Sequence, residues 1–592
     1  MATAPPKTNI VEDQVLEQTR YVGTLVGEST CREFRLAVAR ETIREQDIVA
    51  VDAELRRPEE RPDEVERIRI WAKVQRIERI NPLFPTEAGQ ELAETRTNPF
   101  DTVLSLSREM VTAVCQVLGT EPLDGSPGGK LGHLRYPPRP ASSAYRPDSK
   151  DIARIVLGEL QSKKDRALDI ATLANRSDVN VSVDGHVLVT RHLAILAMTG
   201  AGKSWTSRRI IEQLAAKNYP IVIFDPRGDY TGLADIPSLK GRVRRFYAQF
   251  PVFNEPAEQV MKVIESLSWE MANNQRSSFD EIFTAAKKFL QGTPNELAER
   301  SSWMSKYLGN ENIQKFGIQP NLYFLADFTE VLVRAGRNED TQAFAVISNW
   351  TDQQIELSKK QAAWIEGLIA RLRTSAKALR LMEGISKNIA GDATPLPQNR
   401  TELVEHGGLS IIVLAGYTGD FQVTLYSLIA EELFNARVNG ALKLPVLLVL
   451  EEGHNFVPAR ANTSAEERAI TVTRQIAQEG RKFGVGLVLI SQRPSRLDET
   501  ALSQCNSYVI MRMVNPADQA FVRKVIETLG EDDARMLPDL DRGEAILSGQ
   551  FINFPVLVKV KWPESKGERE EDDAFVQLEK ARQELSGKRP RA

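Results

Sequence analysis

The chain has 592 residues, 42% hydrophobic and 26% charged, with a formal net charge of -4 from 76 basic and 80 acidic side chains. That length exceeds what one core holds and predicts roughly two to four domains. The near balance of charge excludes a general basic coat, so any nucleic-acid binding must draw on locally concentrated positive charge, for example in a channel.

The chain opens with MATAPPKTNIVEDQ, which lacks the basic-then-apolar pattern of a signal segment. No apolar run approaches the ~20 residues of a membrane span, so a cytoplasmic protein without a membrane partner is expected. Residues 20–80 read as β. YVGTLVGES, EFRLAVA, DIVAVDAEL and IRIWAKVQRIERI are rich in Val, Ile and aromatics and partly alternate, which predicts a small barrel. A helix is expected near 100–118. EPLDGSPGGKLGHLRYPPRPASSAYRPDS (121–149), dense in Gly, Pro and Ser, reads as a linker or extended crossing segment. The three cysteines, Cys31, Cys115 and Cys505, have no paired spacing and the five histidines are scattered, which argues against a disulfide framework or a metal cluster.

From about residue 185 the pattern changes. HLAILA (192–197), PIVIFD (220–225), LSIIVLA (409–415), PVLLVLEE (445–452), GLVLIS (486–491) and SYVIMRM (507–513) are short, almost continuously apolar runs, as in strands buried on both faces. Helical patterns such as SRRIIEQLAAK and LYSLIAEELFNARV lie between them, so a parallel sheet covered on both sides is expected. Residues 255–390 break the alternation. Trp364, Ile365, Leu368, Ile369, Leu372, Ala376 and Leu379 recur there at helical spacing and predict an inserted helical subdomain. The expected division is a barrel and following helix at 15–120, a linker at 121–184, an α/β core at 185–254 and 391–562, a helical insertion at 255–390 and a charged tail at 563–592.

AMTGAGKSW (197–205) follows one apolar run and precedes an amphipathic helix. Gly200, Gly202, Lys203 and Ser204 match the phosphate-loop pattern, with Ala197 where its first Gly stands. Ala serves there if its φ is negative. Backbone N–H groups and the helix N-terminus hold phosphates in such a loop. Lys203 would reach the β- and γ-phosphates and the Ser204 hydroxyl would ligate Mg²⁺. Thr199, Gly200, Ala201, Gly202, Lys203, Ser204 and Trp205 are the expected ATP-binding residues; the alternative is a Gly-rich surface turn. In PVLLVLEEGHN (445–455) a buried strand ends in two carboxylates. Glu451 suits Mg²⁺, directly or through water, and Glu452 can polarise the attacking water. Gln492 stands just past another buried strand, where it could sense the γ-phosphate or serve as a plain loop residue.

Five segments in order, MTGAGKS, VIFDPRGDY (222–230), LVLEEGHNFVP (448–458), EGRKFGVGLVLISQRPS (479–495) and LSGQFINFPVLVKV (547–560), resemble the HerA family, hexameric DNA-translocating ATPases of the HerA/FtsK group. The resemblance runs from about 20 to 562. It implies an α/β fold with a RecA-like P-loop ATPase core and mostly parallel sheet, an N-terminal small β-barrel and an inserted helical bundle. It implies ATP with Mg²⁺, a homo-hexamer around double-stranded DNA, and often a partner nuclease of the NurA type; some bacterial relatives pair instead with a sirtuin-like effector in phage defence. By position, Glu452 matches the family's catalytic carboxylate, Glu451 its neighbour and Gln492 the polar sensor. Arg227 stands where the family usually has His, and Asp225 either assists catalysis or caps a turn. Arg481 and Lys482 fall where the family places an arginine finger; the alternative is a solvated helix end. Arg371, Arg373 and Lys377 on the insertion read best as a solvated helix face. A secretion-type ATPase, or a ring scaffold that mainly docks and activates an effector, are the competing readings.

Overall fold

Tyr21–Ser29 (β1), Glu33–Val38 (β2), Ile48–Arg56 (β3) and Val65–Ile80 (β4) form strands at the places their alternation predicts. In β2, Phe34 and Leu36 are buried while Glu33 and Arg35 are exposed, so one face packs inward. The computed structural model describes residues 20–38, 42–56, 65–80, 90, 94, 110–123, 130–565 and 574–587. By contact density the chain divides into two compact units. One comprises Met1–Leu188, Leu196–Thr206 and Asn506–Trp562; the other comprises Val189–Ile195, Ser207–Cys505 and Pro563–Ala592.

With Met110–Pro122 as β5 and Ser143–Tyr145 as β6, the first unit holds a closed barrel in the order β1-β2-β5-β4-β3-β6. Here the structure differs from the expected helix near 100–118. Met110–Pro122 is strand β5, paired with both β2 and β4, and residues 100–109 lie outside the described ones. Val111, Ala113 and Cys115 are buried along it at a period of 2, so the neighbouring strands decided the conformation over local pattern. The Gly/Pro-rich stretch also does more than link. Ser143–Tyr145 (β6) pairs with β1 and β3 and closes the barrel. The long β4 changes register after Trp71 and after Val74, and such bulges let one strand bend between two partners. Ala167–Leu173 (β7) and Asn180–Asp184 (β8), also within the expected linker, join Ser507–Met511 (β16), Glu544–Gly549 (β17) and Val556–Val560 (β18) in the antiparallel order β16-β17-β18-β7-β8.

The second unit holds the parallel sheet. Its strands are Leu193–Leu196 (β9), Ile221–Asp225 (β10), Val243–Tyr247 (β11), Thr394–Pro395 (β12), Leu409–Val413 (β13), Val446–Leu450 (β14) and Val485–Ser491 (β15), in the order β12-β11-β13-β10-β14-β15-β9. Strands β10, β13, β14 and β15 are buried at every position, which is why they read as unbroken apolar runs. Helices α1 (Lys203–Ala216), α3 (Gly419–Val438) and α4 (Ser464–Phe483) accompany the strands, while α2 (Lys359–Ala390) is the longest element of the helical region that follows residue 255. Helix α2 packs on Leu322–Asn338. Ile365, Leu368, Leu372, Ala376 and Leu379 are buried as their spacing predicts, but Trp364 lies outside the stripe, 43% exposed beneath the Lys360 ammonium. Phenylalanines 253, 279, 283, 289, 324 and 328 stack through the core of this region.

Candidate functional site

In the first unit, the fully buried Ala197 begins the loop that leads to α1. It is not among the described residues with positive φ, so Ala is accommodated where the motif has Gly. Gly200 (φ 81°) and Gly202 (φ 106°) take the left-handed turns that a side chain would strain. Gly202 also lies tight against its surroundings, since a Cβ there would meet Gly543 N at 3.3 Å and the Met511 methyl at 3.3 Å. The loop is pinned on two sides: Met198 N–H donates to the Arg512 carbonyl at 3.0 Å and Gly543 N–H to the Ala201 carbonyl at 2.8 Å. Thr206 then closes the first helical turn on the Gly202 carbonyl, through its backbone N–H at 3.0 Å and its hydroxyl at 3.1 Å. Lys203, at 5% exposure, and Ser204 open α1, where the helix dipole favours an anion.

Strand β14, in the second unit, is followed at once by Glu451 and Glu452, each only 1% exposed. Glu452 has φ 52° and ψ 48°, a left-handed conformation uncommon for a residue with a Cβ. Such outliers persist where surrounding structure over-determines them, and they cluster at functional sites. Three side chains surround its carboxylate. Gln492 Nε2 donates to Oε1 at 2.5 Å, Arg227 Nη2 stands 3.1 Å from the same oxygen, and His454 Nδ1 lies 3.5 Å from Oε2. Glu451 belongs to a different chain of contacts. The buried Tyr230 hydroxyl donates to its Oε2 at 2.5 Å, and Ser207 Oγ lies 2.7 Å from that hydroxyl. Burial and the Glu451 charge hold the Tyr230 phenol well above its ordinary pKa, so it remains a donor. Ser207 is one turn beyond Ser204 on α1.

Asp225 ends β10 and is wholly buried. Its Oδ1 accepts the backbone N–H groups of Arg227, Gly228 and Asp229, and its Oδ2 accepts that of Tyr230. Of its two expected roles, the contacts are those of a turn cap, and the turn it holds carries Arg227 and Tyr230 to the two glutamates. Burial pushes the Asp225 carboxyl up to about 7, against the pull of the Tyr230 and Gly228 N–H groups. Arg227 and His454 also line a groove of about 700 Å³ with Asp420, Arg460 and Arg496.

The other expected residues fall elsewhere. Arg481 and Lys482 are exposed in the last turn of α4. The parallel register of β14 on β15 sets Val446 beside Val485, so α4 ends at the strand edge opposite Glu451 and Glu452. Arg474 forms a bidentate pair with the buried Asp498 at 3.0 and 2.6 Å. Arg371 donates to the Glu270 carbonyl at 2.7 Å, Arg373 pairs with Asp327 and Glu330, and Lys377 is exposed. Sequence reasoning did not find the Tyr230–Glu451 link, the Arg227 and His454 contacts, or the turn at Gly543. Only the turn composition of DRGE (541–544) marks the last, and nothing local joins it to residue 201.

The donors present suit a magnesium nucleotide. In the first unit Gly200 and Gly202 shape a loop of backbone donors, Lys203 supplies a cation and the Ser204 hydroxyl is a hard oxygen ligand; in the second unit the Glu451 carboxylate is, taken by itself, another hard oxygen donor. Among the described residues no group of three or more His, Cys, Asp or Glu side chains could hold a metal alone. Magnesium in phosphoryl-transfer sites takes one or two protein ligands and completes its shell with phosphate and water, so this sparse set fits.

Residues 168–431 match the family described as "Helicase HerA, central domain". The chain is 27% identical over 493 residues to the DNA double-strand break repair helicase HerA of Pyrococcus furiosus, covering 76% of this chain and 78% of that one. It is 27% identical over 504 residues to the probable DNA double-strand break repair helicase HerA of Methanocaldococcus jannaschii, covering 77% of this chain and 88% of that one. Among solved structures, VirB4 of Thermoanaerobacter pseudethanolicus aligns with a TM-score of 0.42 at 13% identity, covering 67% of this chain and 96% of that one. Residues 168–431 are thus similar to the HerA central domain, and the chain resembles HerA helicases over about three quarters of its length.

Proposed function

We propose that the protein is an ATP-hydrolysing motor that translocates on or unwinds double-stranded DNA, working as a ring of identical subunits coupled to a nuclease or other effector. The observation that carries this reading is Glu452: a buried carboxylate at a strand end, in a strained backbone conformation, held between an amide and a guanidinium. A purely structural strand end has no need of that arrangement.

Bound ATP would supply the γ-phosphoryl group, and magnesium would neutralise charge on the phosphates. Lys203 and the loop N–H groups would hold the phosphates, and Ser204 and Glu451 would hold the metal. Glu452 accepts a proton from a water as the water oxygen attacks the γ-phosphorus, the bond to the β–γ bridging oxygen breaks, and ADP and phosphate result. Gln492 orients Glu452 or the water. Arg227 compensates the buried carboxylate. Among the described residues no helix is long and apolar enough to cross a membrane. The N-terminal barrel offers a docking surface for an effector.

The test is steady-state ATP turnover by the purified chain with and without duplex DNA. Stimulation by duplex is expected. Equal rates in both conditions would remove the motor reading and leave the ring-scaffold one.

A further inference from the structure

Trp562 follows β18 and is 70% exposed, an unusual setting for the largest apolar side chain. It is not isolated. Its ring centroid lies 4.0 Å from that of Trp205, with the planes tilted by 47°. The Arg542 guanidinium stands over the Trp205 ring at 4.4 Å from the centroid. Trp205 is the residue immediately after Ser204, in the first turn of α1. Arg542 is tied to the same loop, because the next N–H, that of Gly543, donates to the Ala201 carbonyl at 2.8 Å. The turn bearing Arg542 is held in turn by β18: Lys559 Nζ donates to the Arg542 carbonyl at 2.7 Å and Val560 N–H to the Gly543 carbonyl at 2.9 Å. Past Trp562, the Glu564 and Ser565 N–H groups each donate to the Glu212 carboxylate at 2.9 Å, which fixes the chain on that side as well. An exposed indole is thus anchored from both chain directions beside the phosphate loop.

We propose that Trp562, backed by Trp205 and Arg542, is the platform on which the purine base of a bound nucleoside triphosphate stacks; this rests on the nucleotide-binding reading of the loop. A triphosphate seated on the loop N–H groups must direct its sugar and base away from the loop. Trp205 marks the first helical turn beyond the loop, and Trp562 extends that aromatic surface into solvent. A nucleobase presents a π-face that pairs with indole whatever its hydrogen-bonding edge. The platform therefore recognises a purine base without selecting adenine over guanine. Stacking also accounts for the exposure, since a base lying on Trp562 would cover apolar surface otherwise left in water.

The experiment measures equilibrium binding of ATP, GTP and inorganic tripolyphosphate, each with Mg²⁺, to the full chain and to Trp562→Ala, Trp562→Phe and Lys203→Ala. Base–aromatic stacking predicts that Trp562→Ala weakens ATP and GTP by roughly 5- to 150-fold. Tripolyphosphate, which has no base, should bind Trp562→Ala as it binds the parent chain, Trp562→Phe should recover most of the nucleotide affinity, and Lys203→Ala should lose all three ligands. Truncating an exposed side chain removes little packing, and circular dichroism checks the fold. If Trp562→Ala binds ATP like the parent while Lys203→Ala does not, the platform is wrong and the nucleotide reading stands. Parallel weakening of ATP and tripolyphosphate would also overturn the platform, making Trp562 a support for the loop. A changed assembly state with equal ATP affinity would assign Trp562 to a contact between copies instead. Undiminished binding by Lys203→Ala would overturn both readings.

Discussion

Gln492 and Glu452 lie 40 residues apart and meet at 2.5 Å, amide nitrogen to carboxylate oxygen. Each follows a fully buried strand, and β14 and β15 are parallel neighbours, so the register of the sheet brings the two side chains together. The pairing leads to the first prediction. Glu452→Gln keeps the shape but loses the base, and turnover should fall by roughly 10²- to 10⁴-fold with ATP binding retained. Gln492→Ala keeps the base but frees its carboxylate, and should lower kcat by less than Glu452→Gln does. Single-turnover rates measured beside ATP affinity decide it. Near-normal hydrolysis by Glu452→Gln would move the base to Glu451 or Asp225.

Tyr230 and Ser207 predict a separable effect on magnesium. The Tyr230 hydroxyl donates a 2.5 Å hydrogen bond and thereby acts on Glu451. Tyr230→Phe removes that one donor. Groups that orient a metal-ligating side chain are typically worth 10- to 100-fold in metal affinity or activity. The half-saturating Mg²⁺ concentration for turnover should therefore rise about tenfold, with the rate recovering at high Mg²⁺. A Mg²⁺ titration identical to that of the parent would remove Glu451 from the metal's ligands.

The alternation of Phe34 and Leu36 and the all-apolar runs of β10, β13, β14 and β15 made most strands legible, because each pattern depends only on which faces are buried. Met110–Pro122 was not legible as a strand. Its residues serve either conformation, and its pairing with Leu36 and Val74 neighbours is information from distant sequence. The short β6 closes the barrel from a segment whose Gly and Pro content says only that the chain turns. The candidate site divides in the same way. Lys203 and Ser204 follow a strand at motif spacing, and Glu451, Glu452 and Gln492 stand just past buried apolar runs, whereas Gly543 touching Ala201 is a contact over more than 300 residues that no local pattern records.

The barrel carries an ion pair whose loss should be felt throughout the first unit. Lys73, on β4 and 3% exposed, donates from Nζ to both carboxylate oxygens of Asp533 at 2.8 and 3.0 Å. Removing one partner leaves a buried charge uncompensated. Asp533→Ala should cost about 3–5 kcal/mol, whereas Lys73→Met with Asp533→Leu should recover most of that. Denaturant midpoints of the single and double variants test the pair; equal losses in both would mean that its worth lies in packing.

His192 sets a pH dependence. It is buried, accepts the Leu487 N–H on Nδ1 at 3.0 Å and donates from Nε2 to the Ala477 carbonyl at 3.1 Å. Burial lowers its pKa from 6.5 to about 4, so the folded chain holds it neutral. Between those values the unfolded chain binds the proton and the folded chain does not, so stability falls as pH drops below about 6.5 and levels off below about 4. At pH 5 the loss should be about 2 kcal/mol. His192→Asn tolerates the left-handed φ of 61° and cannot titrate. Its midpoint should therefore fall less than the parent's between pH 7.5 and pH 5, and parallel profiles would dismiss His192 as the cause.

Arg481 carries the last prediction. It is exposed in the final turn of α4, at the strand edge opposite Glu452. The five residues of β14 separate those edges by roughly 16 Å of strand, so Arg481 does not compensate charge at Glu452 of its own chain. A finger supplied from a neighbouring subunit remains open to it. Such a guanidinium is worth ~10³–10⁵ in rate in well-studied phosphoryl-transfer systems, and Arg suits the task because its planar fork stays charged and meets phosphate oxygens bidentately. Arg481→Ala should lose turnover by that order while still binding ATP. Mixing it with Glu452→Gln subunits should restore part of the activity, since some interfaces then pair an intact Glu452 with an intact Arg481. Mixed assemblies must first be verified by mass. Verified mixed assemblies that stay inactive, although each variant binds ATP, would mean that Arg481 is not a finger supplied across the interface or that every site must be intact. Normal hydrolysis by Arg481→Ala alone would end the assignment and pass it to Lys482, because Arg474 is already committed to Asp498.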